Sequence, residues 1–147
     1  MGKRYDDWNE VKKHTENAEN YLQFKSREIY NAKIGENIGF EQNGKGDEFV
    51  RPVLILKRLT KDMFFGIPLS TIHRDGSFFY NFEFIEGVQS TALLVQARLF
   101  SPKRLLNKIG MINKENFLNL RKKLNDLMFD GDFTLPKDID RSSRRKL

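Results

Sequence analysis

A chain of 147 residues, 39% hydrophobic and 31% charged, is long enough for one globular domain with a modest core, and its lack of cysteine excludes disulfides and thiolate metal sites. Two histidines are too few for a typical zinc site, so we expect no metal or other cofactor. No apolar run approaches the roughly 20 residues that cross a bilayer, and the charged start lacks the apolar segment of a secretory signal. We therefore expect a cytoplasmic protein. The formal net charge of +6 favours an anionic partner, either nucleic acid or an acidic protein.

The first predicted element is an amphipathic helix over residues 5–24. Its aromatic and apolar residues recur at steps of three and four, and no proline or glycine interrupts them. These residues are Tyr5, Trp8, Val11, Thr15, Ala18 and Leu22. Because the rest of the helix is polar, it is stable only if this narrow stripe docks on the remaining chain, on a second subunit or on a partner.

From Arg27 onwards the apolar residues follow the alternating pattern of β-strands. We predict strands at residues 28–34, 50–59, 63–69, 78–84, 90–99 and 108–112, with a short helical turn at 102–106. The uninterrupted apolar run Val53-Leu54-Ile55-Leu56 predicts a strand that is buried on both faces. Short strands spaced this closely predict a mainly β fold, a small and partly closed antiparallel barrel with a helix at each end.

The last predicted element is a second helix. Asn113 is typical of its N-cap and Gly131 of its end. Its apolar stripe consists of Phe117, Leu120, Leu124, Leu127 and Met128. The basic residues after Pro136 come with few apolar ones, which predicts a disordered tail. The predicted organisation is an N-terminal helical extension at 1–26, a barrel with its C-terminal helix at 27–131, and a basic tail at 132–147.

Several short motifs follow one another along the barrel segment. They are Arg27-Glu28-Ile29-Tyr30, Gly39-Phe40-Glu41-Gln42, Arg51-Pro52-Val53-Leu54, Ile67-Pro68-Leu69-Ser70, Leu94-Val95-Gln96-Ala97-Arg98, Lys103-Arg104-Leu105 and Lys108-Ile109-Gly110. In this order and at this spacing they resemble the MazF/PemK toxins. The resemblance implies an SH3-like barrel of the MazF/PemK/CcdB kind and a homodimer. It also implies metal-independent cleavage of single-stranded RNA at preferred sequences, and a cognate antitoxin whose acidic tail fills the RNA groove.

The chain departs from the family pattern in three places. The loop between Glu41 and Arg51 is several residues longer than usual and carries two added acids, Asp47 and Glu48. Position 70 is serine where many members have threonine. The N-terminal helix lies outside the compact family pattern, so the resemblance implies no role for it.

Three residues near the ends of predicted strands have side chains suited to RNA cleavage. Arg51 stays charged, and its planar fork can donate two hydrogen bonds to phosphate oxygens in the transition state. Ser70 can donate to a non-bridging oxygen, and Glu41 can accept a proton if burial raises its pKa. We take these three as catalytic candidates. The candidates for RNA binding are Gln42, Asn43, Lys45, Thr71, Gln96 and Arg98.

Each catalytic candidate also has a purely structural interpretation. Arg51 would then be a solvated or ion-paired residue at a strand end, Ser70 a turn cap, and Glu41 a partner of Arg51. The corresponding alternative function is a catalytically inactive barrel that binds RNA or a protein target such as a topoisomerase. A third hypothesis is a structural or regulatory protein that acts through its N-terminal helix.

Overall fold

The structure is a computed structural model and describes residues 5–17, 23–35 and 50–129. Its helices are α1 (Tyr5–Asn17) and α2 (Lys114–Phe129), and two short 3₁₀ turns span Leu94–Gln96 and Pro102–Arg104. Its strands are β1 (Glu28–Lys33), β2 (Val50–Thr60), β3 (Met63–Ser70), β4 (Phe79–Ile85), β5 (Val88–Leu93), β6 (Arg98–Phe100) and β7 (Leu105–Met111). Neither described helix is both long and apolar enough to cross a membrane.

The seven described strands form one antiparallel sheet. Its order is β4-β5-β3-β2-β1-β7, and β6 pairs with β3. In the described sheet the outer strands β4 and β7 are not paired with each other, but the Phe84 ring packs onto Gly110, where an added Cβ would lie 2.4 Å from it. The sheet thus curls until its two edges touch. This confirms the predicted fold, a partly closed antiparallel barrel with helices at both ends.

The predicted strand at 90–99 is wrong in one respect, because it is two strands. The chain leaves the sheet in the 3₁₀ turn Leu94–Gln96 between β5 and β6. On this edge of β3, β5 pairs with Leu69 and Ser70, while β6 pairs with residues 64–66. Strand pairing on this edge is therefore interrupted at Ile67 and Pro68. Proline has no N–H to donate to a continuous ladder. The predicted last strand also starts earlier than expected, at residue 105.

Helix α2 begins as predicted. The Asn113 side chain accepts a hydrogen bond from the N–H of Asn116 at 2.8 Å, which caps the helix. In the predicted apolar stripe Phe117, Leu120 and Leu124 are buried, whereas Met128 is 63% exposed and does not pack against the core. The first helix was predicted to reach residue 24, which is wrong at its end, because residues 23–24 are not helical and Phe24 is buried in the barrel. Residues 18–22, the predicted Gly131 stop and the tail lie outside the described residues.

Two hydrophobic cores lie on opposite faces of the central strands. The helix-side core contains Ile29, Leu54, Ile67, Leu69, Phe82, Ala92, Leu94, Ile112, Phe117, Leu120 and Leu124. The aromatic core contains Phe24, Tyr30, Ala32, Ile34, Val53, Ile55, Phe64, Phe100 and Leu105. Successive residues of β2 alternate between the two cores, which confirms that this strand is buried on both faces.

Glu28 is a buried carboxylate with three polar partners. It accepts the N–H of Lys25 at 2.7 Å and the Tyr30 hydroxyl at 3.2 Å, and its other oxygen lies 2.9 Å from the Lys108 ammonium on β7. Burial alone would raise the pKa of Glu28, but the hydrogen bonds and the Lys108 charge outweigh it, so the pKa is lowered. Burial, followed by the Glu28 charge, raises the pKa of Tyr30 to about 12.

We expect Glu28→Gln to reduce the free energy of unfolding by about 1–3 kcal/mol at pH 7. The pKa of Glu28 is lower in the folded than in the unfolded chain, so its ionised form stabilises the fold above the unfolded pKa of about 4.3. That contribution is lost as the pH falls through the folded-state pKa. Urea unfolding from pH 7 to pH 3 should therefore show the two proteins converging, and a constant difference would contradict the assignment.

Candidate active site at the ends of β2 and β3

Arg51 and Ser70 lie at the same end of the β2–β3 ladder. The last two pairs of this ladder are Leu54 with Ile67 and Val53 with Pro68. Arg51 lies two residues before Val53, and Ser70 lies two residues after Pro68. If the register of this pair continued, Arg51 and Ser70 would lie opposite each other. Since side chains two apart share a face, both residues lie on the face of the aromatic core. The structure thus places two of the three catalytic candidates at the same end of the β2–β3 ladder, beyond its last pair.

The surroundings of Arg51 are partly desolvated. Arg51 is half-buried and pairs with Ala32 of β1, which is fully buried. This burial lowers the pKa of Arg51, although a guanidinium keeps its charge at neutral pH. A fixed cation with few waters around it attracts an anion more strongly than one in bulk solvent. The end of β2 is therefore suited to binding a phosphate.

Ser70 does cap a turn, as its structural interpretation predicted. Its Oγ accepts a hydrogen bond from the N–H of Ile72 at 3.2 Å. A hydroxyl has one hydrogen to donate and two acceptor lone pairs, so this bond leaves the Ser70 hydrogen available for another acceptor. The cap fixes the oxygen in place, and capping and donation to a phosphate are compatible.

A row of polar side chains extends from Ser70 across the neighbouring strands. Ser70 pairs with Thr91 of β5, which in turn pairs with Asn81 of β4. The buried Thr91 hydroxyl hydrogen-bonds the Asn81 side chain, which also donates to the backbone oxygen of Arg74 at 2.7 Å. Asn81 thereby holds the loop that follows Ser70. Neither Asn81 nor Thr91 was predicted as a site residue, although an asparagine within the aromatic run 78–84 is an available signal.

The other RNA-binding candidates are spread along the same edge of β3. Thr71 is exposed and directly follows Ser70, and Gln96 is half-buried in the first 3₁₀ turn. Arg98 pairs with Gly66, and its guanidinium lies 4.4 Å from the centre of the Phe100 ring. Gly66 is four residues from Ser70, which is roughly 13 Å along a strand. Thr71 therefore lies next to the catalytic candidates, and Arg98 lies farther along the strand.

The remaining candidates, Glu41, Gln42, Asn43 and Lys45, lie outside the described residues. The segment that carries them leaves β1 after Gly35 and returns at Val50, next to Arg51. Within the described ranges, no group of three or more His, Cys, Asp and Glu residues could hold a metal ion.

One groove among the described residues lies on the face of the sheet opposite to that of Arg51. It measures about 790 Å³ and runs between α2 and strands β2 and β3 on the helix-side face. Its lining residues are Ser26, Leu56, Lys57, Phe65, Phe117, Leu118, Arg121, Lys122, Leu124, Asn125, Met128 and Phe129. The described residues that line the groove combine exposed apolar side chains with three cations and no carboxylate, which suits a protein surface better than catalysis.

No protein family model and no curated protein sequence matches this chain. Solved structures do match its fold. MazF from Deinococcus radiodurans is 18% identical with a TM-score of 0.59, over 74% of this chain and 98% of that one. An endoribonuclease from a mycobacterial species, in complex with its cognate antitoxin, is 10% identical with a TM-score of 0.58, over 78% and 100%. Mycobacterium tuberculosis toxin MazF-mt6 is 18% identical with a TM-score of 0.55, over 73% and 100%. The chain therefore has the MazF fold.

Proposed function

We propose that this protein is an endoribonuclease toxin of the MazF/PemK type, which cleaves single-stranded RNA at preferred sequences without a metal ion. The observation that carries the proposal is the common location of Arg51 and Ser70 at one end of the β2–β3 ladder, on one face. They occupy a barrel of the MazF fold. A cation and a hydroxyl donor at the same end of this ladder would form an anion site, next to the polar row of Thr91 and Asn81.

The proposed reaction is an internal transfer within the RNA backbone. The 2′-oxygen attacks the adjacent phosphorus, the bond from phosphorus to the 5′-oxygen breaks, and a 2′,3′-cyclic phosphate and a 5′-hydroxyl result. Arg51 donates two hydrogen bonds to the phosphoryl oxygens as negative charge builds up, and Ser70 donates a third. Glu41 takes the proton of the 2′-hydroxyl, and water supplies the proton of the leaving 5′-oxygen.

The proposed partners follow the same chemistry. Single-stranded RNA is anionic and suits the net charge of +6, and Gln42, Asn43, Lys45 and the strand-edge residues would contact it. A cognate antitoxin with an acidic tail would compete for the same cations. The mycobacterial endoribonuclease of this fold was solved in complex with its cognate antitoxin. We further propose that the active form is a homodimer.

The first test is incubation of the purified protein with long single-stranded RNA in EDTA, beside Arg51→Ala, followed by mapping of the cut ends. Discrete cuts that EDTA does not abolish and the variant does not make would support the proposal, and their sequences would give the preference. Cuts made equally by Arg51→Ala would instead indicate a contaminating nuclease or a different site.

The groove beside α2 favours a second candidate function, a barrel that binds a protein without catalysing a reaction. Its exposed side chains Leu118, Met128 and Phe129 form an apolar strip next to Arg121 and Lys122. The same RNA assay separates the two candidates. An intact RNA substrate, together with retained binding of RNA or of a protein target, would favour the second.

A further inference from the structure

The loop that follows Ser70 contains a histidine–aspartate pair. The Nε2 atom of His73 lies 3.0 Å from Oδ1 of Asp75, within hydrogen-bond distance. The His73 side chain is 58% exposed, so a substrate can reach its other ring nitrogen, Nδ1. An imidazole that a carboxylate orients through one nitrogen, and that is open at the other, is suited to acid–base catalysis. The pair can act on RNA if the fold places it beside Ser70.

Hydrogen bonds hold the backbone on both sides of His73. On one side, the N–H of Ile72 donates to Ser70 Oγ at 3.2 Å. On the other side, the N–H of Arg74 donates to Asn81 Oδ1 at 3.4 Å, and the Asn81 amide donates to the carbonyl oxygen of Arg74 at 2.7 Å. Because consecutive Cα atoms are about 3.8 Å apart, His73 lies close to both of these fixed points.

Both fixed points belong to the face of the sheet that carries the Ser70 side chain. Ser70 and Asn81 are the two ends of the polar row across β3, β5 and β4. Neighbouring strands are about 4.8 Å apart, so the ends of this row are about 10 Å apart. The Arg74 guanidinium lies 5.7 Å from the centre of the Phe79 ring, and Phe79 is two residues from Asn81 and shares its face. The loop therefore folds back over the polar row, and His73 lies above it, next to Ser70.

We propose that His73 is the general acid of RNA cleavage and that Asp75 positions its ring. This inference rests on the proposed function, in which Arg51 and Ser70 bind the phosphate that is attacked. In that reaction water protonates the leaving 5′-oxygen, and His73 takes the place of this water. Protonation by a positioned side chain contributes about 100-fold to 10,000-fold to the rate of such a step.

The proton transfer uses both nitrogens of the protonated ring. In an imidazolium each nitrogen carries a hydrogen, so Nε2 donates to Asp75 while Nδ1 donates to the 5′-oxygen. When the bond from phosphorus to the 5′-oxygen breaks, its electron pair stays on that oxygen, which takes the Nδ1 proton and leaves as a hydroxyl. The neutral His73 ring then regains a proton from water.

The test replaces the leaving oxygen with sulfur. The two substrates are an ordinary single-stranded RNA and the same RNA with a 5′-bridging phosphorothiolate at the mapped cut. A thiolate is a much weaker base than an alkoxide and leaves without a proton, so the sulfur substrate needs no general acid. We expect His73→Gln to slow cleavage of ordinary RNA about 100-fold, and to cleave the sulfur substrate within about threefold of the parent rate.

Two aspartates provide matched control variants. Asp75 and Asp62 are both exposed in turns, but Asp62 lies between β2 and β3, at the end of the ladder away from Ser70. We expect Asp75→Asn to slow ordinary cleavage about tenfold, and to add nothing to His73→Gln, because it acts through the His73 ring. It should cleave the sulfur substrate like the parent chain. Asp62→Asn should change neither rate.

The possible results separate this inference from the proposed function. If His73→Gln cleaves ordinary RNA as fast as the parent chain, His73 is not the acid. Equal slowing on both substrates would give His73 a structural role and would also overturn the inference. Either result leaves the proposed function intact, since the parent chain still cleaves RNA. A parent chain that cleaves neither substrate would refute the proposed function, and the inference with it.

Discussion

Arg51→Lys is expected to lower the rate of RNA cleavage by about 100-fold or more, and Arg51→Ala by at least as much. Lysine keeps the positive charge but presents a point charge in place of a planar fork, so it cannot make two parallel hydrogen bonds to phosphoryl oxygens. The loss should be large because Arg51 is half-buried, where few waters can replace the missing donors. The measurement is a single-turnover cleavage time course with saturating protein.

The parallel control is Arg121→Lys. Arg121 is exposed on α2, lines the groove on the opposite face of the sheet, and should not affect cleavage. An interaction made only in the transition state lowers kcat and kcat/KM together. Binding of a single-stranded RNA with 2′-O-methyl groups, which cannot be cleaved by the proposed attack, should therefore change much less than the cleavage rate. If Arg51→Lys cleaves RNA as fast as the parent chain, Arg51 does not act by donating two parallel hydrogen bonds to the phosphoryl oxygens. If Arg51→Ala also cleaves RNA as fast, Arg51 is not catalytic.

Local sequence patterns predicted most elements, because those elements depend on neighbours in the chain. The alternation in β2, the N-cap at Asn113 and the stripe on α2 are such cases, and the structure agrees with each except at Met128, the last residue of the stripe. The break between β5 and β6 was missed because it depends on Pro68 of a different strand. The same holds for Trp8, whose helical spacing predicted docking but could not identify Gly35 as its partner.

The register that directs Arg51 and Ser70 to the same end of the ladder could not be predicted from the hairpin itself. Next to the turn, Thr60 pairs with Met63, and a regular ladder from there would set Val53 opposite Ser70. Two one-residue shifts, between Ile55 and Lys57 and between Arg58 and Thr60, move the register by two residues in total. Because a shift of two keeps each side chain on its face, both cores survive and only the partners change. The positions of such bulges depend on packing against other strands of the sheet, and the sequence of one strand does not encode that packing.

Phe64→Ala is expected to reduce the free energy of unfolding by about 3–5 kcal/mol, the usual cost of deleting a buried aromatic ring. Phe64 is fully buried in the aromatic core, with ring centres 5.3 Å from Phe24 and 5.6 Å from Phe100. Rings on both sides cannot close the space without moving the strands that carry them. Urea unfolding at pH 7 gives the difference, provided that the slope of the transition is unchanged.

The neighbouring residue serves as the matched control. Phe65 is on the same strand but on the opposite face, and it is 43% exposed in the groove beside α2, so Phe65→Ala should cost about 1 kcal/mol or less. Equal losses would mean that the aromatic core is not packed as described. The pair also tests the site, because Arg98 lies over Phe100 and β6 is held to β3 at Phe64. Under conditions where both variants are folded, only Phe64→Ala should weaken RNA binding, since only that ring supports the face on which Arg51, Ser70 and Arg98 lie.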